Sequence, residues 1–402
     1  MKKSLPGPHK QCLARSLAKK IGFSQILQSL QKTLQLDDLQ RCKKWLIKHQ
    51  PSAPQGNALR RLDTLASMAG ALIKGGQASL QSIGKHMDDD IDLESRVKKA
   101  KRWLKNKWTD SAVHFIPYLS PMLRSVSNSG ELVLAIDGSS IGKGCMALMV
   151  SLIWRRRAIP ICWIVRQAPK GHFPQQMHLD IVNQVAMLLD TIIECPCQVI
   201  LLGDAEFDGN ELQQACLSHG WDYVLKTGKD ALLADNPQML DACPFCHIAP
   251  ADGKNSLFLP QMYVTKQAFG PVNVLYWHDK TRYERPLYLL TSLEYGPQAE
   301  AYYRKRYHIE TFFGDIKSRG FHIEDTRISQ PDMLSNLLIV ASLAFIACIL
   351  FEFDARRSPH LGKFCRKDRA ADLSVFQIGL RAIRYYIRKG LAISFQFSKN
   401  FP

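Results

Sequence analysis

Residues 131–167 read ELVLAIDGSSIGKGCMALMVSLIWRRRAIPICWIVRQ, and this stretch decides the predicted fold. It starts with an apolar run that ends at Asp137, which is typical of a buried strand. Two β-prone runs follow, at 145–156 and 158–167, with few residues between them. Such spacing predicts a β-hairpin. We therefore expect three consecutive strands at the start of a sheet.

The residues that follow extend this sheet and add helices. A helical period over 176–193 precedes another apolar run, which ends at Asp204. A short helix and a strand-like segment at 222–228 come next. Three strands, a helix, a strand, a helix and a strand predict an α/β fold with a mixed sheet and helices on its faces.

Outside this core, composition and periodicity divide the chain into five predicted segments. They are a helical basic region (1–130), the first part of the core (131–228), a β-rich insertion (229–292), the final core helices (293–355) and a C-terminal helical region (356–402). Helical spacing within residues 1–50 and a Pro- and Gly-containing linker at 51–56 belong to the first segment.

Positive charge is concentrated in the first segment. The chain has a net charge of +17, and residues 1–130 hold 23 Lys and Arg against 9 Asp and Glu. Such asymmetry favours a polyanionic partner, and nucleic acid is the first candidate, because neutralising phosphates releases counterions. A solvated basic surface without a partner is the alternative.

The most basic predicted helix covers residues 95–108. Its apolar side is predicted to contain Val97, Ala100, Leu104 and Trp108. The cations spread around its other faces are Lys98, Lys99, Lys101, Arg102 and Lys105. A short helix, a turn and a basic second helix fit a helix that lies against DNA, and a solvated amphipathic helix has the same pattern.

Two features bear on cellular location. The N-terminus is positively charged but no apolar segment follows it, which argues against secretion. Residues 334–351 are long and apolar enough for a membrane span, yet they include Ser335, Asn336 and Ser342. We interpret this run as a buried core helix and expect a cytoplasmic protein without a membrane role.

Cysteine spacing leaves one metal-site hypothesis open. The chain has eleven scattered cysteines, so no disulfide framework is expected. Cys243, Cys246 and His247 have ligand spacing and could form half of a zinc site, perhaps completed by Cys195 and Cys197. Ordinary loop thiols are the favoured reading, since no second suitable pair follows.

Residues 301–320, AYYRKRYHIETFFGDIKSRG, place Glu310 among positive charges. Read as one helix, they bring Tyr303, Arg306 and Lys317 onto the same stripe as Glu310. The opposite face would pack on a sheet and consists of Ile309, Phe312, Phe313 and Ile316. A plain amphipathic helix with an Arg306–Glu310 pair would explain two of these residues.

Asp137 and Asp204 are each predicted to follow an apolar strand, where side chains project into the crevice at the edge of a sheet. Taken singly, each could be a turn or cap residue. Together with Glu310 they would repel one another unless a cation lies between them. Hard carboxylate oxygens suit Mg²⁺ or Mn²⁺, with two ions expected. Arg306 and Lys317 would then hold phosphates.

The acids Glu206 and Asp208 follow Asp204 directly. Either could hold a metal-binding residue in place, but we favour the interpretation that both are solvated loop residues.

The spacing Tyr303-x₂-Arg306-x₃-Glu310-x₆-Lys317 resembles the YREK signature of the bacterial insertion-sequence transposases of family four. Asp137 and Asp204 look like the first and second acids of the DDE triad of that family. The resemblance covers about 131–390. It implies a ribonuclease-H-like core, a metal-dependent cut at transposon ends and strand transfer by the freed 3′-hydroxyl.

The same resemblance implies that Tyr303, Arg306 and Lys317 grip the DNA backbone, and that a dimer holds two ends. Some relatives form a hairpin intermediate with an aromatic residue from the insertion. Here the equivalent position is Leu287, beside Tyr288, and Trp277 lies on another strand, so either aromatic is read as a sheet-packing residue. A structure-specific nuclease and an inactive DNA-binding relic are the alternatives.

Overall fold

The computed structural model describes residues 50, 54–168, 173–248, 250, 255–365 and 373–391. The helical spacing predicted within residues 1–50 lies outside them, apart from Gln50, and stays a prediction. The described chain begins with helices, continues into a sheet and ends with helices.

A single mixed sheet organises the described residues. Its strands are β1 (Glu131–Ile141), β2 (Cys145–Trp154), β3 (Arg157–Gln167), β4 (Gln198–Gly203), β5 (Asp222–Lys226), β6 (Leu232–Ala234), β7 (Cys243–Pro244), β8 (Ser256–Val264), β9 (Phe269–Trp277) and β10 (Leu287–Thr291). Their spatial order is β3-β2-β1-β4-β5-β10-β9-β8-β6-β7. The first three strands are antiparallel, whereas β1, β4 and β5 are parallel. The predicted mixed sheet is thus confirmed.

The hairpin of β2 and β3 has a two-residue turn. Trp154 and Arg157 pair across it, and Arg155 and Arg156 both have positive φ, 46° and 65°. Positive φ at both central residues is the geometry that matches the right-handed twist of hairpin strands. The hairpin predicted from the sequence forms although no glycine occupies the turn.

Helices flank the sheet. They are α1 (Gly56–Gly75), α2 (Leu80–His86), α3 (Leu93–Leu104), α4 (Ser111–His114), α5 (Ile116–Ser127), α6 (Gln175–Ile192), α7 (Asn210–Ser218), α8 (Gly296–Tyr303), α9 (His308–Ile316), α10 (Pro331–Arg357), α11 (Leu361–Phe364) and α12 (Val375–Lys389). α6 contacts β2 and β3, and α9 contacts β1 and β3. The apolar face predicted for α9 is buried, and Phe312 on that face is 1% exposed.

The long apolar helix α10 is a core element, as predicted. Within the described chain it is the one helix long and apolar enough to cross a membrane, but 83% of its most apolar window is buried inside the protein. Its polar side chains have partners there. Asn336 donates to the carbonyl of Leu104 (2.8 Å), and Ser335 Oγ accepts from Trp163 Nε1 (3.0 Å).

The basic helix α3 packs differently from the prediction. It starts at the N-cap Asp92, whose carboxylate accepts from the amide of Ser95 (2.9 Å), and it ends at Leu104. Trp108 therefore lies beyond the helix and is 63% exposed, so its predicted place on the apolar side is wrong. Trp103 takes the buried position and donates to the carbonyl of Arg61 (2.9 Å).

The strands predicted as an insertion continue the main sheet. β10 pairs with β5 on one side and with β9 on the other, both antiparallel. Residues 229–292 thus extend the same sheet outward from β5. The five-segment division of the chain stays a prediction.

Asp315, on α9, gives the fold a pH dependence that can be measured. It is 1% exposed, accepts from Ser374 Oγ (2.9 Å) and lies 3.3 Å from Arg319 Nε. Burial raises its pKa from 3.8 to about 6. Between these two pH values the folded chain binds more protons at Asp315 than the unfolded chain, so this group makes stability fall as pH rises.

Asp315→Asn should remove this contribution, because asparagine keeps an acceptor for Ser374 without a charge. The difference in the free energy of unfolding, variant minus native chain, is expected to increase by up to about 3 kcal/mol between low and neutral pH. Urea titrations at several pH values measure it. Parallel pH profiles would contradict the assignment.

Candidate active site

Asp137 lies inside β1, four residues before its end. The prediction that the strand stops at Asp137 is wrong, because β2 continues to pair with β1 as far as Ile141 opposite Cys145. On its other edge, however, β1 pairs with β4 only up to Ala135 opposite Leu202. Asp137 thus stands where the neighbouring strand has finished, and its side chain is 16% exposed.

Asp204 is the first residue after β4, as predicted. The parallel register sets Glu131 opposite Gln198 and Ala135 opposite Leu202. Continued by two residues, that register places Asp204 level with Asp137. The turn after β4 is held by Asp204 itself, whose Oδ1 accepts from the amide of Glu206 (3.0 Å).

Glu310 lies in the first turn of α9, and the segment around it is not one helix. α8 ends at Tyr303, residues 304–307 form turns, and α9 starts at His308. The turns are held by i to i−3 bonds, such as the amide of Arg306 to the carbonyl of Tyr303 (3.0 Å). Glu310 still points away from the buried face, with 56% of its side chain exposed.

The break changes the environment of Tyr303. Predicted to face outward, it is 4% exposed, and burial raises its pKa to about 12. The guanidinium of Arg306 lies 5.8 Å from its ring centroid, within reach of a cation–π interaction. Lys317, at the C-terminal cap of α9, donates from Nζ to Ser140 Oγ (3.1 Å) on β1.

Arg306 joins two of the three acids. Its Nη2 donates to Glu310 Oε1, and its Nη1 lies 3.8 Å from Asp137 Oδ2. The side chain is 14% exposed, and its Nε is buried without a hydrogen-bond partner. Burial lowers the pKa of this guanidinium, but Tyr303 and Glu310 outweigh that effect, so the net shift is upward.

The electrostatics place all three acids in one site. Burial raises the pKa of Asp137 to about 7, Arg306 opposes this, and the charges of Asp204 and Glu310 raise it further. Because like charges raise the pKa of a carboxyl group only when they lie near it, Asp204 and Glu310 both act on the environment of Asp137.

The donor set fits a hard divalent ion in its chemistry, since it consists of carboxylate oxygens. Two of the three side chains, Asp137 and Glu310, contact the Arg306 guanidinium instead. Among the residues that the structure describes, no three His, Cys, Asp or Glu side chains are grouped so as to hold one metal ion. Arg306 would have to release at least one carboxylate before the acids could turn toward a common ligand.

Two acids near the site were read from the sequence as solvated loop residues, and the structure corrects both. Glu206 accepts from the amide of Phe173 (2.5 Å) and lies 3.8 Å from His178 Nε2. A Cβ added at Gly138 would lie 2.4 Å from the Phe173 ring, so Glu206 fixes a ring beside the backbone that follows Asp137. No local sequence signal indicates this contact, because its partners are 33 residues apart.

Asp208 is half-buried as well. Its Oδ2 accepts from Thr227 Oγ1 (2.6 Å), just after β5. Burial raises its pKa, and the charge of Asp204 adds to the shift. Asp208 therefore ties the loop that carries Asp204 to the next strand.

The cations predicted on α3 separate into two groups. Lys98 pairs with Glu94 (2.8 Å) and Lys99 with Asp89 (2.9 Å). Arg102 donates from Nε to the carbonyl of Lys98 (3.3 Å). The remaining two are exposed and line the cavity between α3 and the loop before α10; they are Lys101 and Lys105.

The remaining candidates from the sequence are two aromatic residues of the sheet and the cysteines of the zinc hypothesis. Trp277 is 2% exposed and pairs across the sheet with Leu287, while Tyr288 packs on Phe245 at 5.0 Å. Both aromatics are sheet-packing residues, as expected. Among the described residues, Cys243, Cys246, Cys195 and Cys197 form no disulfide and no metal-ligand group with His247.

Fold and site together define an α/β protein in which one arginine links Asp137 and Glu310, with Asp204 level with Asp137 at the end of the neighbouring strand of a mixed sheet. Residues 169–347 match the family model of the transposase DDE domain. The matched range contains Asp204, Arg306, Glu310 and Lys317, and the mixed sheet with its flanking helices is consistent with a ribonuclease-H-like DDE domain. Comparison with curated proteins gives no match. Transposase-type chemistry on DNA is therefore the general activity that this domain indicates.

Proposed function

We propose that the chain is the transposase of an insertion sequence, of the family-four type indicated by its YREK-like spacing. It would hydrolyse one strand at each element end and join the freed 3′-hydroxyl to target DNA. The observation that carries this proposal has two parts: the register of β1 and β4 sets Asp204 level with Asp137, and Arg306 links Asp137 to Glu310.

Asp137, Asp204 and Glu310 are the residues that would hold Mg²⁺ or Mn²⁺. Such ions, when bound, supply an activated oxygen nucleophile and stabilise the leaving oxygen of a phosphodiester. Of the protein groups, Arg306 is placed to move from the carboxylates to a phosphate, which its planar fork can bind through two parallel hydrogen bonds. Lys317 presents a point charge beside Ser140 on β1. Tyr303 supports Arg306 from the buried side.

A paired cut at two element ends needs two catalytic centres, so we propose that a homodimer assembles on DNA in the bacterial cytoplasm. A structure-specific nuclease would need the same acids but no strand transfer. An inactive relic would bind DNA only.

These three possibilities differ in one reaction. Purified full-length protein is incubated with Mg²⁺, DNA that carries the ends of its own element, and a target plasmid. Cleavage at the ends followed by joining supports the transposase. Cutting without joining would replace it with the nuclease, and a mobility shift without cutting would leave only DNA binding.

Arg306→Gln separates the two roles of this arginine. Without the guanidinium, Asp137 and Glu310 lose their cation, so added Mn²⁺ is expected to raise the melting temperature of the variant more than that of the native chain. DNA cutting should nevertheless fall by about 10- to 100-fold, since a charged hydrogen bond to phosphate is lost. Thermal melts with and without Mn²⁺ and a cleavage assay measure both effects.

Arg304→Gln is the matched control. Arg304 lies two residues away, pairs with Asp279 (3.0 Å) and stacks on Trp277, away from the acids. It should leave the Mn²⁺ response unchanged. An equal Mn²⁺ response in the native chain and in Arg306→Gln would show that Arg306 does not compete with the ion.

A further inference from the structure

A groove of about 760 Å³ lies between α3 and the segment that joins α9 to α10. We name it the α3 groove and define it by six of its lining residues, which are Leu80, Val97, Lys101, Lys105, Arg327 and Met333. One wall is the helical unit that precedes the sheet, and the other is the chain that follows the Glu310 helix. The groove thus brings together two parts of the sequence that are more than 200 residues apart.

The walls of the α3 groove carry cations without partners. Lys101 and Lys105 are one turn apart on α3, and Arg327 belongs to the opposite wall. All three are exposed, and none forms an ion pair with a carboxylate in the described part of the chain. Asp325, the one acidic residue among the described residues that line the groove, lies 3.3 Å from His322 Nδ1.

This pattern differs from that of the other α3 cations. Lys98 and Lys99 are neutralised within the protein by Glu94 and Asp89. Lys101 lies in the last turn of α3 and Lys105 is its C-cap, and no carboxylate in the described part of the chain pairs with either ammonium to offset the repulsion between them. The groove floor includes apolar side chains, among them Met333 at 5% exposure, which strengthen the field of the cations above them. An anionic partner would remove the repulsion.

Backbone hydrogen bonds connect the walls of the α3 groove to the candidate active site. The amide of Lys143, in the turn after β1, donates to the carbonyl of Ile328 (2.8 Å), next to Arg327. On the other side, the amide of His322 donates to the carbonyl of Lys317 (2.8 Å), whose ammonium contacts Ser140. Both routes lead from the groove to β1, the strand that carries Asp137. Lys143 is itself exposed and adds a cation to the turn after β1.

We propose that the α3 groove binds one phosphodiester strand of double-helical DNA, in the stretch that flanks the scissile bond. Regularly spaced cations on two walls suit a repeating row of phosphates. Among the described residues, no aromatic side chain other than the His322 ring lines the groove, so these residues offer no platform on which unpaired bases could stack. The inference rests on the proposed function only where it states that the bound stretch flanks the scissile bond. Binding of the duplex does not itself require cutting.

The test measures DNA binding by the full-length protein as a function of salt. Fluorescence anisotropy of a labelled duplex is recorded for the native chain and for Lys101→Gln/Lys105→Gln/Arg327→Gln. Each lost phosphate contact reduces the slope of log K against log salt by about 0.9, so the triple variant should lose between about 2 and 3. Glutamine keeps helix propensity at the two α3 positions. Circular dichroism melts check that the variant is folded.

A second triple variant removes the same charge elsewhere. Lys266→Gln/Lys363→Gln/Arg388→Gln changes three exposed cations, none of which lines the groove. It should keep the native slope. An equal loss in both triple variants would reduce the effect to overall charge and overturn the proposal, as would an unchanged slope in the groove variant. A larger loss with a single strand than with the duplex would overturn the choice of occupant.

The outcome separates this inference from the proposed function. If the native chain cuts element ends while the groove variant binds duplex normally, only the groove assignment fails. If the native chain cuts nothing but the groove variant shows the reduced slope, the groove stands and the transposase proposal fails.

Discussion

Glu310→Gln is expected to reduce DNA cutting by about 1000-fold while leaving DNA affinity within a factor of about two, since the loss of several kcal/mol of transition-state stabilisation corresponds to that range. The reason is charge. Glutamine has nearly the same shape but no negative charge, so it cannot serve as an anionic ligand or hold Arg306 by an ion pair. Because 56% of the Glu310 side chain is exposed, the substitution should leave folding unchanged.

Single-turnover cleavage of DNA with element ends measures the effect, and anisotropy measures binding. Asp190→Asn is the control, because it removes one carboxylate from the exposed side of α6, away from the three acids. Cutting that persists at the native rate in Glu310→Gln would remove Glu310 from the site. Loss of binding in parallel with cutting would show a structural role instead.

The spacing of apolar residues along the sequence predicted those helices and strands that form by burying their own apolar side chains. The hairpin of β2 and β3, the buried helix α10 and the buried face of α9 all follow from the alternation or helical spacing of apolar side chains. Asp204 was also predictable, because the apolar run of β4 stops immediately before it. Each of these predictions needs only neighbours along the chain.

The break between α8 and α9 could not be predicted, because residues 301–320 contain no proline and their glycines lie beyond the break. Distant contacts hold the turn residues instead. Arg304 reaches Asp279 (3.0 Å) and Lys305 reaches Glu131 (3.6 Å), each from another strand or loop. Such tertiary contacts override helical propensity. The break that these contacts hold in place also explains why Tyr303 is buried and does not face outward.

Sheet partners explain the other differences. Asp137 was placed at a strand end because the apolar run stops there, yet β2 supplies hydrogen bonds to Ile141. Likewise β10 joins β5 across more than 60 residues of sequence. The acids Asp137, Asp204 and Glu310 could be chosen from the sequence, but the link that Arg306 makes between Asp137 and Glu310 required the structure.

The contact between α10 and α12 predicts the largest loss of stability. A Cβ added at Gly379 on α12 would lie 1.9 Å from the carbonyl oxygen of Cys348 on α10, and 2.7 Å from its carbonyl carbon. Backbone atoms cannot rotate away as a side chain can, so the two helices would have to separate. Because Phe345 and Phe376 stack between them with ring centroids 5.1 Å apart, the separation would open the core next to α9.

Gly379→Ala should therefore lower the free energy of unfolding by about 3 kcal/mol or more, at the upper end of what overpacking costs. Gly70→Ala is the matched control, since nothing lies within 4 Å of a Cβ at Gly70 in α1, and alanine should stabilise that helix by about 0.5 to 1 kcal/mol. Urea unfolding measures both. If alanine destabilises the protein at 379 and stabilises it at 70, α12 is packed against the core of the sheet domain. This would hold although α12 lies after the residues that match the transposase domain. Equal effects would mean that α12 docks loosely.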